Sequence, residues 1–281
     1  MNNLFEGRLD LEDGVELFYQ FYKNSDDFPW LVVTHGVGEH CRRYHFLQEL
    51  FSDKFNILLY DLRGHGTSTG SKGQVDSFQT YAQDLGAMIA FIKEYHSMKK
   101  YVLYSHSMGA LITLSFLQNF PEELSQPEKV FLSAPPFRPG GALGELTKYL
   151  PYKIFSSLSN FKKNLWVKDL IPETALTSHD HGDLGYKSDP LVLGGMQLRL
   201  LSNLVMSGKD AFKSPLNKSY EIYCVVGGKD VVVSKKAIQQ YCSQIDTSVQ
   251  LRVFLNGKHE LHNEIDQIRD PYLQYLKDCL S

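Results

Sequence analysis

Apolar positions fall into two rhythms along this chain. Trp30 to Thr34, Phe55 to Tyr60, Tyr101 to Tyr104 and Lys129 to Leu132 are short apolar runs rich in β-branched and aromatic residues. Their length and content predict strands buried on both faces. Between them the spacing changes to that of helices. Arg42 to Phe51 and Met108 to Phe120 read as helices, the second stopped by Pro121. Phe78 to Tyr95 places Tyr81, Leu85, Met88, Ile89 and Ile92 on one face, with Asp76 or Ser77 as its N-cap. Ahead of these, Leu4 to Leu9 and Val15 to Tyr22 flank Glu12-Asp13-Gly14, a hairpin signal.

The alternation breaks at Pro135. Residues 137–212 hold Pro139-Gly140-Gly141, Pro151, Pro172, Pro190 and Gly194-Gly195, with helical pieces at Leu143 to Leu150 and Gly195 to Asp210 and no strand-like run. Alternation resumes with strands at Tyr220 to Val226 and Val249 to Leu255, and helices at Lys235 to Cys242 and Ile265 to Cys279. This order predicts an α/β fold: a mostly parallel eight-stranded sheet with helices on both faces. Residues 1–136 and 213–281 would form the core, and residues 137–212 a helical cap over it.

Composition changes this picture little. A chain of 281 residues that is 43% hydrophobic and 22% charged can bury a large core without disulfides. A net charge of -3 gives no basic face for nucleic acid. Cys41, Cys224, Cys242 and Cys279 are far apart and form neither a zinc ribbon nor a disulfide framework. The N-terminus lacks a signal-peptide pattern and no run is long enough to span a membrane, so the expected location is the cytoplasm, at most peripheral to a membrane.

The chemistry concentrates at Tyr104-Ser105-His106-Ser107-Met108-Gly109, between a buried strand and an apolar helix. A nucleophile elbow is written G-x-S-x-G, and here Ser105 replaces the first glycine. Ser107 would be exposed at the carboxyl edge of the sheet, beside a helix N-terminus. A serine hydroxyl needs a base within reach and an acid to orient that base. The expected chain order is Ser, acid, His, with the acid after a late strand and the His after the last one. Asp230, in Gly227-Gly228-Lys229-Asp230, and His259, after Asn256-Gly257-Lys258, meet this requirement. Asp246 lies at the wrong end of the sheet, and His262 lies closer to the final helix. Two backbone N–H groups complete the set as oxyanion donors, Met108 and Val37 in the loop His35-Gly36-Val37-Gly38.

Other constellations carry less. His259-Glu260-Leu261-His262 has a spacing of three, which does not bring both rings to one metal from a helix. His179-Asp180-His181-Gly182-Asp183 reads as a polar loop with a cation as its alternative. Gly64, Gly66 and Gly70 do not give a dinucleotide fingerprint.

Seven stretches resemble the monoglyceride lipase and lysophospholipase-like branch of the α/β-hydrolases. They are HGVGEHCRRY at 35–44, DLRGHGTSTG at 61–70, SHSMGA at 105–110, SAP at 133–135, SDPL at 188–191, GGKD at 227–230 and HE at 259–260. They recur in family order and cover nearly the whole chain. The resemblance implies the α/β-hydrolase fold and hydrolysis of fatty-acyl esters such as monoacylglycerols or lysophospholipids through an acyl-enzyme. It implies Ser107 as nucleophile, Asp230 as acid, His259 as base, Val37 and Met108 as oxyanion donors, and no metal or organic cofactor. It also implies that Glu39 and His40 brace the oxyanion loop and that Arg63-Gly64-His65-Gly66 is structural. Ser105, where the family commonly has Gly, departs from the pattern, and the cap matches least. The same triad would serve an aminopeptidase, amidase or thioesterase, and the fold alone could serve as a binding module. The apolar cap residues Leu143 to Leu150, Tyr152, Ile154 and Phe155 would line an acyl pocket or touch a lipid surface.

Overall fold

The computed structural model describes residues 4–121, 124–160, 165–168, 170–179, 186, 188–216 and 220–281. Eight strands form one sheet: β1 (Leu4–Asp10), β2 (Glu16–Tyr22), β3 (Trp30–Thr34), β4 (Asn56–Tyr60), β5 (Tyr101–His106), β6 (Lys129–Ser133), β9 (Glu221–Gly227) and β10 (Val249–Phe254). Their spatial order is β1-β2-β4-β3-β5-β6-β9-β10. The first pairings, β1 with β2 and β2 with β4, are antiparallel, and the remaining pairings are parallel. The hairpin turn uses Gly14 at φ 79°, where a side chain would be strained.

The uninterrupted apolar strands are explained by cover on both faces. In β3, Trp30 and Val32 join one core with α2 (Phe78–His96) and α3 (Met108–Asn119). Leu31 and Val33 of the same strand join the opposite core with α1 (Phe46–Phe51) and α8 (Asp266–Leu280). One strand therefore feeds two cores through its two-residue alternation. Ser77 caps α2, accepting a hydrogen bond from the Gln79 N–H.

Three predicted elements differ. The Arg42 to Phe51 helix is split into a 3₁₀ turn, Cys41–Tyr44, and the short α1. His45 sits between them in helical geometry and no side chain caps α1. The Lys235 to Cys242 helix becomes α7 (Lys235–Gln240), capped by Ser234, followed by a π-turn over Tyr241–Ile245. The segment between β6 and β9 is not free of strands. Besides α4 (Gly141–Tyr149), α5 (Tyr152–Ser159) and α6 (Leu198–Ala211), it pairs β7 (Trp166–Lys168) with β8 (Gly195–Gln197) in an antiparallel ribbon. Three residues per strand are too few to show a period. Gly195 permits the pairing, since a Cβ there would lie 2.3 Å from the Val167 carbonyl oxygen. In the loop at 179–183, Asp180 to Asp183 lie outside the described residues. Among the described residues, no helix is long and apolar enough to cross a membrane, and no group of three metal-ligating side chains gathers.

Candidate active site

β5 lies between β3 and β6 near the centre of the sheet and delivers Ser107 at the turn into α3. Ser107 adopts φ 51° and ψ -121°, a backbone geometry that side chains rarely take. Its N–H is tied to the Ser133 carbonyl at 2.8 Å, which holds the turn against β6. Two steps on, a Cβ at Gly109 would lie 2.3 Å from the Thr34 carbonyl oxygen, so only glycine lets α3 start this close to β3. Ser105 is fully buried opposite Thr34, and its hydroxyl has no partner among the described residues.

Asp230 follows β9 and His259 follows β10. The Asp230 side chain is fully buried, and its Oδ1 accepts the N–H groups of Val232 at 2.8 Å and Val233 at 3.0 Å. Its Oδ2 lies 2.8 Å from His259 Nδ1, and His259 Nε2 lies 3.0 Å from Ser107 Oγ. With the proton on Nδ1 facing the carboxylate, the Nε2 lone pair faces the hydroxyl, the tautomer this network assigns. Burial works against a charged imidazole, but the adjacent Asp230 carboxylate outweighs it and holds the His259 pKa above its ordinary value.

The structure separates the rivals from this chain of contacts. His262 is buried with its ring stacked on Phe46 at 5.3 Å, and neither ring nitrogen has a partner among the described residues. Burial depresses its pKa to about 4, so it packs as a neutral ring. Asp246 is a structural cap: Oδ2 accepts Leu216 N–H at 2.7 Å and Oδ1 accepts Ser248 N–H at 3.2 Å.

The loop after β3 passes beside Ser107. A Cβ at Gly36 would lie 3.2 Å from Ser107 Cβ. Glu39 folds back under this loop, accepting the Gly36 N–H at 3.0 Å and the Tyr44 hydroxyl at 2.6 Å. Burial opposes its ionisation, yet Arg43 and the Tyr44 hydrogen bond lower its pKa, so the carboxylate is charged. His35 Nε2 accepts the Leu62 N–H at 3.0 Å, leaving Nδ1 to donate to Gly36 O at 2.7 Å. The backbone N–H groups of Val37 and Met108 have no hydrogen-bond acceptor among the described residues. Both are free to receive an anionic oxygen.

Sequence reasoning missed a buried polar set near His259. Arg43 Nη2 donates to Glu260 Oε2 at 2.8 Å, and Asn263 Nδ2 donates to the same oxygen at 2.7 Å. His106 packs its ring 4.9 Å from that of His259. The only signal for Arg43 and Glu260 was their place inside the motifs at 35–44 and 259–260.

The family model for serine aminopeptidase, S33, matches residues 29–266. The chain belongs to this family. An abhydrolase domain-containing protein of Dictyostelium discoideum is 24% identical over 258 residues, 89% of this chain and 26% of that protein, so the chain spans about a quarter of its length. Monoglyceride lipase of Rattus norvegicus is 24% identical over 274 residues, covering 96% of this chain and 88% of that one. The crystal structure of Paleococcus ferrophilus monoacylglycerol lipase superposes with a TM-score of 0.79 at 19% identity, covering 94% of this chain and 97% of that one. This likeness shows the α/β-hydrolase fold.

In this S33-family chain Ser107 opens into an apolar cavity of about 190 Å³. Ser107, Val37, Met196, Leu204, Val205 and Val232 are among the residues that line it. A second cavity of about 300 Å³ shares Val37, Leu170, Ile171 and Met196 with the first. The segment between β6 and β9 thus walls the site, and it is pinned to the loops below. His40 Nε2 meets Asp189 Oδ2 at 2.7 Å, Leu193 N–H donates to Gly38 O at 2.8 Å, and Lys258 Nζ donates to Thr174 O at 2.8 Å.

Proposed function

We propose that Ser107 is the nucleophile, His259 the general base and acid, Asp230 the orienting acid, and Val37 and Met108 the oxyanion donors of a fatty-acyl ester hydrolase. The protein is a carboxylic ester hydrolase. The observation that carries the residue roles is the continuous contact from Asp230 Oδ2 through His259 to Ser107 Oγ. Ser107 Oγ attacks the ester carbonyl while His259 Nε2 takes its proton. The two N–H groups hold the negative oxygen, each donor worth about 10²- to 10³-fold in rate. As the tetrahedral intermediate collapses, His259 returns the proton to the departing alcohol, leaving an acyl-enzyme. Water then attacks, with His259 as base, and the fatty acid and the free hydroxyl are regenerated.

The apolar lining favours a hydrocarbon acyl group, in line with the monoglyceride and monoacylglycerol lipases this chain is similar to. Aminopeptidase action would require a carboxylate beside the scissile bond to hold a protonated amine. Among the described residues, the cavity that contains Ser107 is lined by none. Contact with a lipid surface fits the exposed Leu146, Tyr149 and Ile154 on α4 and α5.

Turnover of a monoacylglycerol series of increasing acyl length, beside an aminoacyl anilide, tests the reading. Activity on the esters that disappears in Ser107→Ala is the expected outcome. Faster cleavage of the anilide, or ester turnover retained in that variant, overturns it.

A further inference from the structure

A third cavity is lined by residues of the segment between β6 and β9. It measures about 300 Å³, and Pro139 and Val205 line both it and the Ser107 cavity. Four cationic side chains line it: Arg138, Lys148, Lys209 and Lys213. Among the described residues, the one carboxylate within ion-pair distance of any of them is Asp210, 3.5 Å from Lys213. Asp210 also receives the Tyr152 hydroxyl, so its charge is shared.

The four cations lie over aromatic faces, and Lys209 also commits one donor to the Leu150 carbonyl oxygen at 2.9 Å. Arg138 lies 6.0 Å from the Phe212 ring centroid, Lys148 5.1 Å from Tyr149, Lys209 5.3 Å from Phe155 and Lys213 5.8 Å from Tyr152. A cation held on a ring face keeps its remaining N–H donors available to an anion. Like charges gathered with one counter-charge repel one another, and a bound anion relieves that repulsion. The crowding is visible at Lys209, whose pKa is lowered by burial and then by Arg138 and Lys213.

We propose that this cavity is a subsite for the anionic group, phosphate or carboxylate, of an amphiphilic ester whose scissile carbonyl lies at Ser107. The inference rests on the ester-hydrolase reading above and extends it to a substrate class. The apolar cavity takes the hydrocarbon, and the cations beyond Val205 take the charge.

Two measurements test this. The first is the ratio of kcat/KM for an anionic ester to that for its neutral counterpart, in the wild type and in Arg138→Gln/Lys213→Gln. One arm compares a 1-acylglycerol phosphate with the 1-acylglycerol. The other compares a nitrophenyl ester with a terminal carboxylate on its acyl chain with the methyl-ended ester of equal length. A fall of about tenfold or more in the ratio, in either arm, is expected and identifies the anion's place in the substrate. The exposed single variant Lys148→Gln supplies a milder form should the double variant fold poorly. A ratio within twofold of wild type in both arms overturns the subsite.

The second measurement is calorimetric binding of dodecyl phosphate, below its micelle concentration, against dodecyl glycerol ether. Tighter phosphate binding that weakens about tenfold in Arg138→Gln/Lys213→Gln is expected, even in a protein that turns over no ester. Equal affinity for the two amphiphiles, in a protein that does cleave neutral esters, dismisses the anion site and leaves the hydrolase reading intact.

Discussion

A methyl group at Gly227 would lie 2.1 Å from the carbonyl oxygen of Lys258. Gly228 repeats the relationship against the Leu255 carbonyl oxygen at 2.3 Å. The loops after β9 and β10 therefore touch through backbone, and from them Asp230 and His259 meet at 2.8 Å. Gly227→Ala must part the loops. A loss of about 10²-fold in kcat/KM is expected, with about 1–3 kcal/mol lost in denaturant unfolding. An alanine variant with wild-type kcat/KM would show that the loops adapt without moving the acid.

The positive φ of Ser107 strains the turn between β5 and α3. Ser107→Ala keeps the Cβ and the strain, whereas Ser107→Gly removes both. Both variants should lose about 10⁶-fold in kcat. Ser107→Gly should also unfold about 1 kcal/mol or more above Ser107→Ala in matched thermal melts. Equal melting temperatures would mean the turn costs nothing.

The raised pKa of His259 acts in opposite directions on rate and stability. Catalysis needs Nε2 deprotonated, so kcat/KM should fall as pH drops through a value above the ~6.5 of free imidazole. The stabilisation from the protonated ring is fully present below the unfolded-state pKa and is lost as pH rises through the folded one. Asp230→Asn removes the carboxylate that outweighs burial. An NMR titration of the His259 ring in that variant should give a pKa below the wild-type value. An unchanged midpoint would locate the cause elsewhere.

Arg63 makes a bidentate contact with Asp84, its Nε and Nη2 each 2.6 Å from a carboxylate oxygen that is almost fully buried. Arg63→Met leaves that carboxylate unpaired. A loss of about 3–5 kcal/mol in urea unfolding is expected, because an uncompensated buried charge remains. Changing Asp84 to Asn as well should recover part of it. A loss below 1 kcal/mol in Arg63→Met would show that water reaches Asp84.

Ser105 stands where the elbow pattern has glycine, and among the described residues its buried hydroxyl has no partner. Ser105→Ala removes that hydroxyl and keeps the strand's side chain. Stability should rise by about 1 kcal/mol, with kcat within twofold of wild type. A stability decrease in chemical denaturation would reveal a partner for the hydroxyl.

The sheet and the three central residues were legible in the sequence for the same reason. Buried parallel strands are continuous apolar runs, and Ser107 and Asp230 follow two of them, while His259 follows the alternating edge strand β10. Their meeting is thus a property of topology, readable from order alone. The β7–β8 ribbon was not legible, since Trp166 to Lys168 and Gly195 to Gln197 are short and pair across a long stretch of chain. The split at His45 depends on backbone geometry that no residue type there dictates. Arg43 with Glu260, and the cations around Phe212 and Tyr152, converge only after folding, and no local spacing encodes such a meeting.

The links from His40 to Asp189 and from Gly38 to Leu193 join the stretch carrying Val37 to the roof of the site. These two links tie the position of the Val37 backbone to that of the segment between β6 and β9. Loosening the wall of the cavity and displacing the loop beside Ser107 are therefore one structural event, not two.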